Sequence, residues 1–349
     1  MDVRLSSEQE ALRDSVVQVV DRLGPHTVRD LDDAERAATL DAAVAASGWR
    51  ELRVPVEGRS PLASGVEAAV VAEELGRGLA DTPFLGPTLA ADLRRLAGAP
   101  PAGTAETVAF AKSLLAAAIV DGGVPSGTVA VDARGATCAL VLVPVSADGA
   151  HALATVALGP VEVGTDLTRP GAAVDPASVA TPVESPGSRP LTDDDLSAWT
   201  ALGLALDCAD LVGTMRGAVD LAVGYASDRH QFDRPIGSFQ AVQHLLADAH
   251  VAMEGSRSVA RHAAWAVDAL SPGDALAAAA VAKAYCARAA RTVCETTIQV
   301  HGGTGNTWEC LAHVFLRRAL LSTEVLGGEG ANLDRVLVHH GIGGGRGLR

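Results

Sequence analysis

Two short stretches of this 349-residue chain concentrate side chains able to hold a phosphorylated cofactor. The first is Arg229-His230-Gln231-Phe232-Asp233-Arg234-Pro235-Ile236-Gly237-Ser238-Phe239-Gln240, with two guanidiniums, two phenyl rings and two carboxamides. Guanidiniums grip pyrophosphate through paired hydrogen bonds. Phe232 can lie against a flat ring, and Gln240 can satisfy a polar atom of a ring or phosphate. A polar turn between helices, with arginine at a helix C-terminus, explains the same residues, and spacing alone leaves both readings open. The second stretch is Gln299-Val300-His301-Gly302-Gly303-Thr304-Gly305-Asn306-Thr307-Trp308-Glu309. Its glycines let a backbone approach a phosphate without Cβ atoms in the way, and their amides can donate to it. No strand precedes it and no Gly-Lys-Ser/Thr follows, so it is neither a Walker loop nor a dinucleotide fingerprint. A glycine-rich helix stop is the alternative. His244, His250, His339 and His340 lack the carboxylates and cysteines of a recognised metal set, so no metal is expected. No Gly-x-Ser-x-Gly elbow supports serine hydrolase chemistry.

Helices must carry both stretches. Thr192 followed by three aspartates makes a good N-terminal cap, and the periodicity predicts a helix over 195–228. Pro235-Ile236-Gly237 breaks it, and a second helix is expected over 238–270, with apolar residues at three-to-four-residue spacing. Ser271-Pro272-Gly273 stops that one. A third runs over 275–300 to the Gly302-Gly303 stop, and a fourth over 311–325. Long helices joined by tight turns describe an antiparallel four-helix bundle. Residues 1–103 are also helical in pattern, over 7–21, 38–47 and 64–80, interrupted at Gly48-Trp49 and at 55–58. Residues 104–190 differ, with short β-prone runs at 107–110, 127–131, 138–145, 151–158 and 161–163 between Gly, Pro and Asp. The expected fold is mainly α with a small β domain: an N-terminal helical domain (1–103), a middle β domain (104–190) and a C-terminal bundle (191–349). The glycine-rich end, 341–349, is expected to be mobile.

Composition narrows the class. Acidic residues number 42 against 28 Lys+Arg, a net charge of −14, which argues against nucleic-acid binding. No apolar run approaches the about 18–20 residues of a membrane span, so no membrane association is expected. The opening residues show neither the apolar stretch nor the cleavage site of a signal peptide. Five cysteines without a CxxC pair read as reduced thiols, and a cytoplasmic location is expected.

With these segments in order, the chain resembles the acyl-CoA dehydrogenase family along nearly its full length. The opening Leu5-Ser6-x-Glu8-Gln9-x-x-Leu12-Arg13 looks like the family's first helix. Gly48-Trp49, Pro55-x-Glu57-Gly58 and Val71-x-Glu73-Glu74-Leu75-Gly76 continue the match. Its most specific parts are Arg229-x-x-Phe232-x-x-Pro235-Ile236-x-x-Phe239-Gln240 and Gln299-x-x-Gly302-Gly303-x-Gly305. The resemblance implies a helical domain, a β domain and a four-helix bundle, with FAD as cofactor. It puts Arg229, Phe232 and Gln240 on the adenosine diphosphate side of FAD, and Gln299, Gly302 and Gly303 in the second FAD-contacting segment. In the family these groups reach FAD bound largely by a neighbouring subunit, which implies a dimer or tetramer. The implied chemistry is α,β-dehydrogenation of an acyl-CoA thioester: a glutamate removes the α-proton while the β-hydrogen leaves as hydride to the flavin. An electron-transfer flavoprotein is the implied acceptor.

The chain departs from the family where a base is needed. The family's Tyr-Glu-Gly motif falls on Val325-Leu326-Gly327, so Leu326 stands where the glutamate belongs. The alternative base position, on the first bundle helix, falls near Gly203. Asp207 and Glu329 are the nearest acids and the candidate catalytic residues. The family's Thr-Glu-Pro and Gly-Ser-Asp stretch in the β domain has no counterpart, and Val124-Pro125-Ser126-Gly127-Thr128-Val129-Ala130 stands there. The expectation is therefore one subunit of a hetero-oligomer whose partner supplies the base. The alternatives are a self-sufficient homo-oligomer using Glu329 or Asp207, and a non-catalytic scaffold of the same fold. The acyl chain stays open.

Overall fold

A computed structural model describes residues 4–145 and 149–342. The mobility expected of the glycine-rich end falls mostly on 343–349, outside the described residues. The chain begins with α1 (Ser7–Leu23) and α2 (Ala34–Ala46), separated by a 3-10 turn, Val28–Asp32. A hairpin of β1 (Pro55–Glu57) and β2 (Ser60–Pro61) follows, then α3 (Gly65–Arg77) and α4 (Leu85–Ala97). Ser6 and Ser64 start α1 and α3 with capping boxes, each serine accepting from a backbone N–H as Gln9 or Glu67 reaches back.

Seven strands form one sheet: β3 (Glu106–Phe110), β4 (Val129–Ala130), β5 (Cys138–Pro144), β6 (His151–Ala157), β7 (Val161–Glu162), β8 (Gly171–Ala173) and β9 (Thr181–Pro182). The order is β7-β8-β4-β3-β5-β6-β9. Every pairing is antiparallel except β3 with β5, where Thr107 faces Ala139. Alternation along β5 and β6 sends Leu140, Leu142 and Leu153 into the main core, and Ala139, Val141, Ala154 and Val156 into a separate core on the other face.

The remainder is helical: α5 (Asp193–Asp228), a small hairpin of β10 (His230–Gln231) and β11 (Arg234–Pro235), α6 (Gln240–Ala269), α7 (Pro272–His301), α8 (Ala312–Glu324) and α9 (Glu329–His339). Helices α5 to α8 form the expected bundle, and α9, absent from the sequence expectation, packs on α7. Thr192 caps α5 as its side chain accepts from Asp195 N–H. Arg189 grips the Asp195 carboxylate at 2.6 and 2.7 Å. Burial works against that charge, but Arg189 and Thr192 prevail and hold the group down to about 2.

Helix α5 is long and apolar enough to cross a membrane by length and composition, contrary to the expectation that no segment would be. Most of that stretch is buried inside the protein, which accounts for its apolar character. Its neighbour α3 lies unusually close: a Cβ added to Gly213 would come within 1.8 Å of the Glu73 carbonyl oxygen, and one on Gly76 within 2.5 Å of the Asp210 carbonyl oxygen. Bare glycines let the two backbones touch.

One core runs through all three groups of elements. Trp199 of α5 stacks on Phe110 of β3 at 6.3 Å and donates its indole N–H to the Leu89 carbonyl of α4 at 3.0 Å. A buried ionic cluster joins sheet to bundle. Arg169 donates to Asp166 (2.8 Å) and to the Ser322 hydroxyl (2.6 Å), and lies 3.2 Å from Asp210. Arg318 donates to the same Asp210 at 2.6 Å and to Thr168 at 2.8 Å. Burial opposes ionisation of Asp210, yet the two guanidiniums hold its carboxyl below the ordinary carboxylate range.

Candidate active site

The first cofactor-type stretch starts at the end of α5. Arg229 is the last, capping residue of that helix: its N–H donates to Tyr225 O at 2.9 Å, and its carbonyl accepts from Ile236 N–H at 2.8 Å. The chain then reverses through β10 and β11, pairing His230 with Pro235 and Gln231 with Arg234. The two residues between them, Phe232 and Asp233, have φ of 54° and 60°. A two-residue hairpin of this kind needs positive φ at both central positions, and without glycine each costs about 1 kcal/mol or more. That strain holds Phe232 out into solvent, 86% exposed, with its edge toward Phe239 at 6.2 Å. The Arg234 guanidinium lies 4.1 Å over the Phe239 ring.

The second stretch ends α7, where Gly302 takes φ +62°. A Cβ on Gly302 or Gly303 would meet nothing within 4 Å, so the backbone there is open to an approaching group. His301, buried just before them, shares a 2.8 Å hydrogen bond with Thr297 O through Nδ1, and its ring stacks on Tyr225 at 4.4 Å. That stack fastens the end of α7 to the end of α5. A small core of Ala222, Ala226 and Val300, covered by Ile236, Val242 and Leu246, completes the junction. Arg229, Phe232, Gln240, Gln299, Gly302 and Gly303 therefore share one end of the bundle, all exposed. The Tyr225–His301 stack that joins them was not foreseen; a histidine preceding the double glycine was its one signal.

The place expected to hold a base is closed. Leu326 is fully buried with φ +58°, and a Cβ on Gly203 would lie 2.4 Å from its Cδ1 and 3.4 Å from a Leu89 methyl. The two possible base positions thus converge on one spot, which a leucine fills. A clasp keeps it there. Leu326 N–H donates to Leu114 O at 2.7 Å, from the turn that follows β3. Arg335 donates to Leu326 O at 2.5 Å and to Leu115 O at 3.0 Å, while Asn332 donates to Gly327 O at 2.7 Å.

The two candidate acids lie elsewhere. Asp207 is fully buried and accepts from the Lys283 ammonium, which also donates to Ser322 O and, at 2.8 Å, to Val325 O. Burial pushes the Asp207 carboxyl up to about 6, with the pull of Lys283 only partly offsetting it. Its other oxygen, Oδ1, has no hydrogen-bond partner. Glu329 opens α9 on the surface, 3.9 Å from Arg288, where a carboxylate suits the helix dipole. Neither acid reaches an open chamber beside Gly203: one is locked in an internal ion pair, the other faces solvent.

A family model described as acyl-CoA dehydrogenase, C-terminal domain, matches residues 205–337. The acyl-CoA dehydrogenase IpdE2 of Mycobacterium tuberculosis is 31% identical over 330 residues, covering 91% of this chain and 93% of that protein. The chain belongs to the acyl-CoA dehydrogenase family. Among solved structures, the ChsE4-ChsE5 complex from Mycobacterium tuberculosis superposes with a TM-score of 0.77 at 24% identity, covering 98% of this chain and 99% of that one. The Tcur3481-Tcur3483 steroid ACAD G363A variant gives 0.77 at 24%, covering 96% and 98%. These establish the same fold.

The cofactor of acyl-CoA dehydrogenases is FAD, and the residues present fit one half of it. Exposed guanidinium, phenyl and carboxamide groups beside bare glycine amides form a donor set suited to the adenosine diphosphate moiety. At the position matched to the family's base, this member has Leu326 packed against Gly203, so it supplies no carboxylate there.

Proposed function

We propose that this chain is one subunit of a heteromeric acyl-CoA dehydrogenase, completing an FAD site whose base and substrate pocket belong to an unlike partner. One observation carries the reading: Leu326 is buried against Gly203, so that neither base position holds a carboxylate. The open end of the bundle supports the other half of the proposal. There Arg229 would pair with the diphosphate, Phe232 would cover an apolar part of the adenosine, and Gln240 and Gln299 would satisfy polar atoms. The Gly302 and Gly303 amides would donate to phosphate oxygen. Bound FAD supplies the hydride acceptor for α,β-dehydrogenation of an acyl-CoA, and this chain's residues anchor its far end. ChsE4-ChsE5 is a complex of differently named chains, and the same arrangement is proposed here. An electron-transfer flavoprotein would take the electrons, as elsewhere in the family.

The outward display of six cofactor-type residues disfavours an inert scaffold, and the ion pair at Asp207 disfavours a self-sufficient enzyme. The test is purification of the chain alone and together with candidate unlike family members, followed by dye reduction with acyl-CoA. Activity is expected only from the mixed oligomer. Full activity from this chain alone contradicts the proposal.

A further inference from the structure

Beside the second cofactor-type stretch, a pocket of about 340 Å³ opens between α7, α8 and the loop joining β7 to β8. Ile298 of α7 and Leu316 and Leu320 of α8 make its apolar wall. Trp308 forms another side; it belongs to that stretch but takes no part in the proposed FAD contacts, and it is 63% exposed. Trp49 and Trp199, by contrast, are buried. The exposed indole is held from two directions. The His313 ring meets it edge-on at 5.0 Å, and the Arg317 guanidinium lies 5.7 Å from its centroid. A large flat ring fixed in place and left in solvent is a platform on which a second ring stacks.

Arg317 lines the same pocket and is only half-buried. Its chain neighbour Arg318 is spent on Asp210 and Thr168. Arg317 donates to the Thr165 carbonyl, at 3.4 Å, and forms no ion pair among the described residues. A guanidinium carries five N–H donors in a planar fork that matches a phosphate, so most of these donors are unspent. No carboxylate lines the pocket. Burial and the nearby Arg317 charge hold the His313 imidazole below its usual range, so it stays neutral and Arg317 is the one formal charge on the wall. Asn306, exposed at the rim, offers a carboxamide that can donate to and accept from the edge of a heterocycle.

A stacking platform, an anion fork and a carboxamide in one cavity of this size select a planar heterocycle joined to a phosphate. We propose that this pocket binds a nucleoside monophosphate group, with the base stacked on Trp308, its edge on Asn306 and the phosphate on Arg317. A free mononucleotide and the nucleotide end of coenzyme A both offer that chemistry. The site uses none of the six cofactor-type residues, so it stands apart from the role proposed above.

Isothermal titration of the full chain with adenosine 5′-monophosphate, adenosine and ribose 5-phosphate tests this. The monophosphate should bind saturably. Adenosine should be weaker by roughly tenfold, for want of the charge-assisted pair, and ribose 5-phosphate weaker by roughly tenfold, for want of the stacked base. Arg317→Gln should bring the monophosphate down to the affinity of adenosine without changing adenosine's own, and Trp308→Leu should bring it down to that of ribose 5-phosphate. Titration with coenzyme A assigns the source: tighter binding than the monophosphate points to the coenzyme, weaker binding to a free nucleotide. Absence of saturable monophosphate binding at millimolar concentration overturns the proposal. So does equal affinity of the monophosphate and either fragment for the parent chain, a comparison that needs no variant, or an unchanged monophosphate affinity in Arg317→Gln.

Discussion

Replacing Asp207 by asparagine separates a catalytic acid from a buried structural one. The carboxyl is raised from an ordinary value near 4 to about 6 because burial outweighs the attraction of Lys283. A group that binds its proton more tightly when folded contributes most below its unfolded pKa, and that contribution is lost as pH rises through the folded value. The loss over about two pH units is about 3 kcal/mol. Asparagine cannot ionise and keeps a carbonyl oxygen for Lys283, but its amide NH2 takes the place of an oxygen that has no partner. That unpaired donor costs about 1 kcal/mol. The variant should therefore be more stable than the parent by about 2 kcal/mol at pH 7.5 and less stable by about 1 kcal/mol at pH 4. Urea unfolding of both proteins at a series of pH values between these limits reads the crossing directly. Dye reduction by the mixed oligomer should be unaffected. A variant less stable than the parent at pH 7.5, or one that abolishes turnover while leaving stability alone, refutes the reasoning.

Lys283→Met should cost about 3–5 kcal/mol in urea unfolding at neutral pH, because it strips a buried carboxyl and two buried carbonyls of their shared donor. Leu326→Glu would put a carboxylate among Leu89, Gly203 and the clasp; a loss of about 3 kcal/mol or more and no dye reduction by the isolated chain are expected. Turnover from that variant at parental stability would contradict the closed pocket. Phe232→Ala, at an exposed hairpin tip, should leave the melting curve in place while weakening FAD retention by the mixed oligomer by roughly tenfold, read by flavin fluorescence on dilution. Gly213→Ala would drive a methyl into the Glu73 carbonyl, and a loss of about 3 kcal/mol or more is expected on thermal or urea unfolding.

Much of the bundle was legible because its signals are local. Thr192 caps α5 three residues ahead of Asp195, and Gly302 ends α7; Ser271-Pro272-Gly273 reads as the stop of α6, while it also caps α7, which begins at Pro272 rather than at 275. The elements that escaped have long-range or weak signals. Helix α4 has no side-chain cap of its own; the Phe84 and Gly86 N–H groups at its start donate to Asp132, from the turn beyond β4. Strands β8 and β9 are two or three residues long, too short for alternation to show. Helix α9 follows Gly327-Gly328 and likewise lacks a side-chain cap. At the site, residue types in the two outward stretches left cofactor binding and a plain helix turn or stop both open, and only the resemblance to the family favoured the first. The closed interior did not read so well. Lys283 lies 76 residues from Asp207, and Leu114 meets Leu326 only because the turn after β3 folds onto the end of α8. A missing glutamate is visible in a sequence; a leucine filling the space it left is visible only in three dimensions.

The most direct measurement is the flavin content per chain, by absorbance after denaturation, of this protein alone and of its purified complex with an unlike family member. The account predicts a colourless protein alone and one FAD for each pair of unlike chains in the complex, lost on Arg229→Ala. One FAD bound to every copy of this chain purified by itself would contradict it.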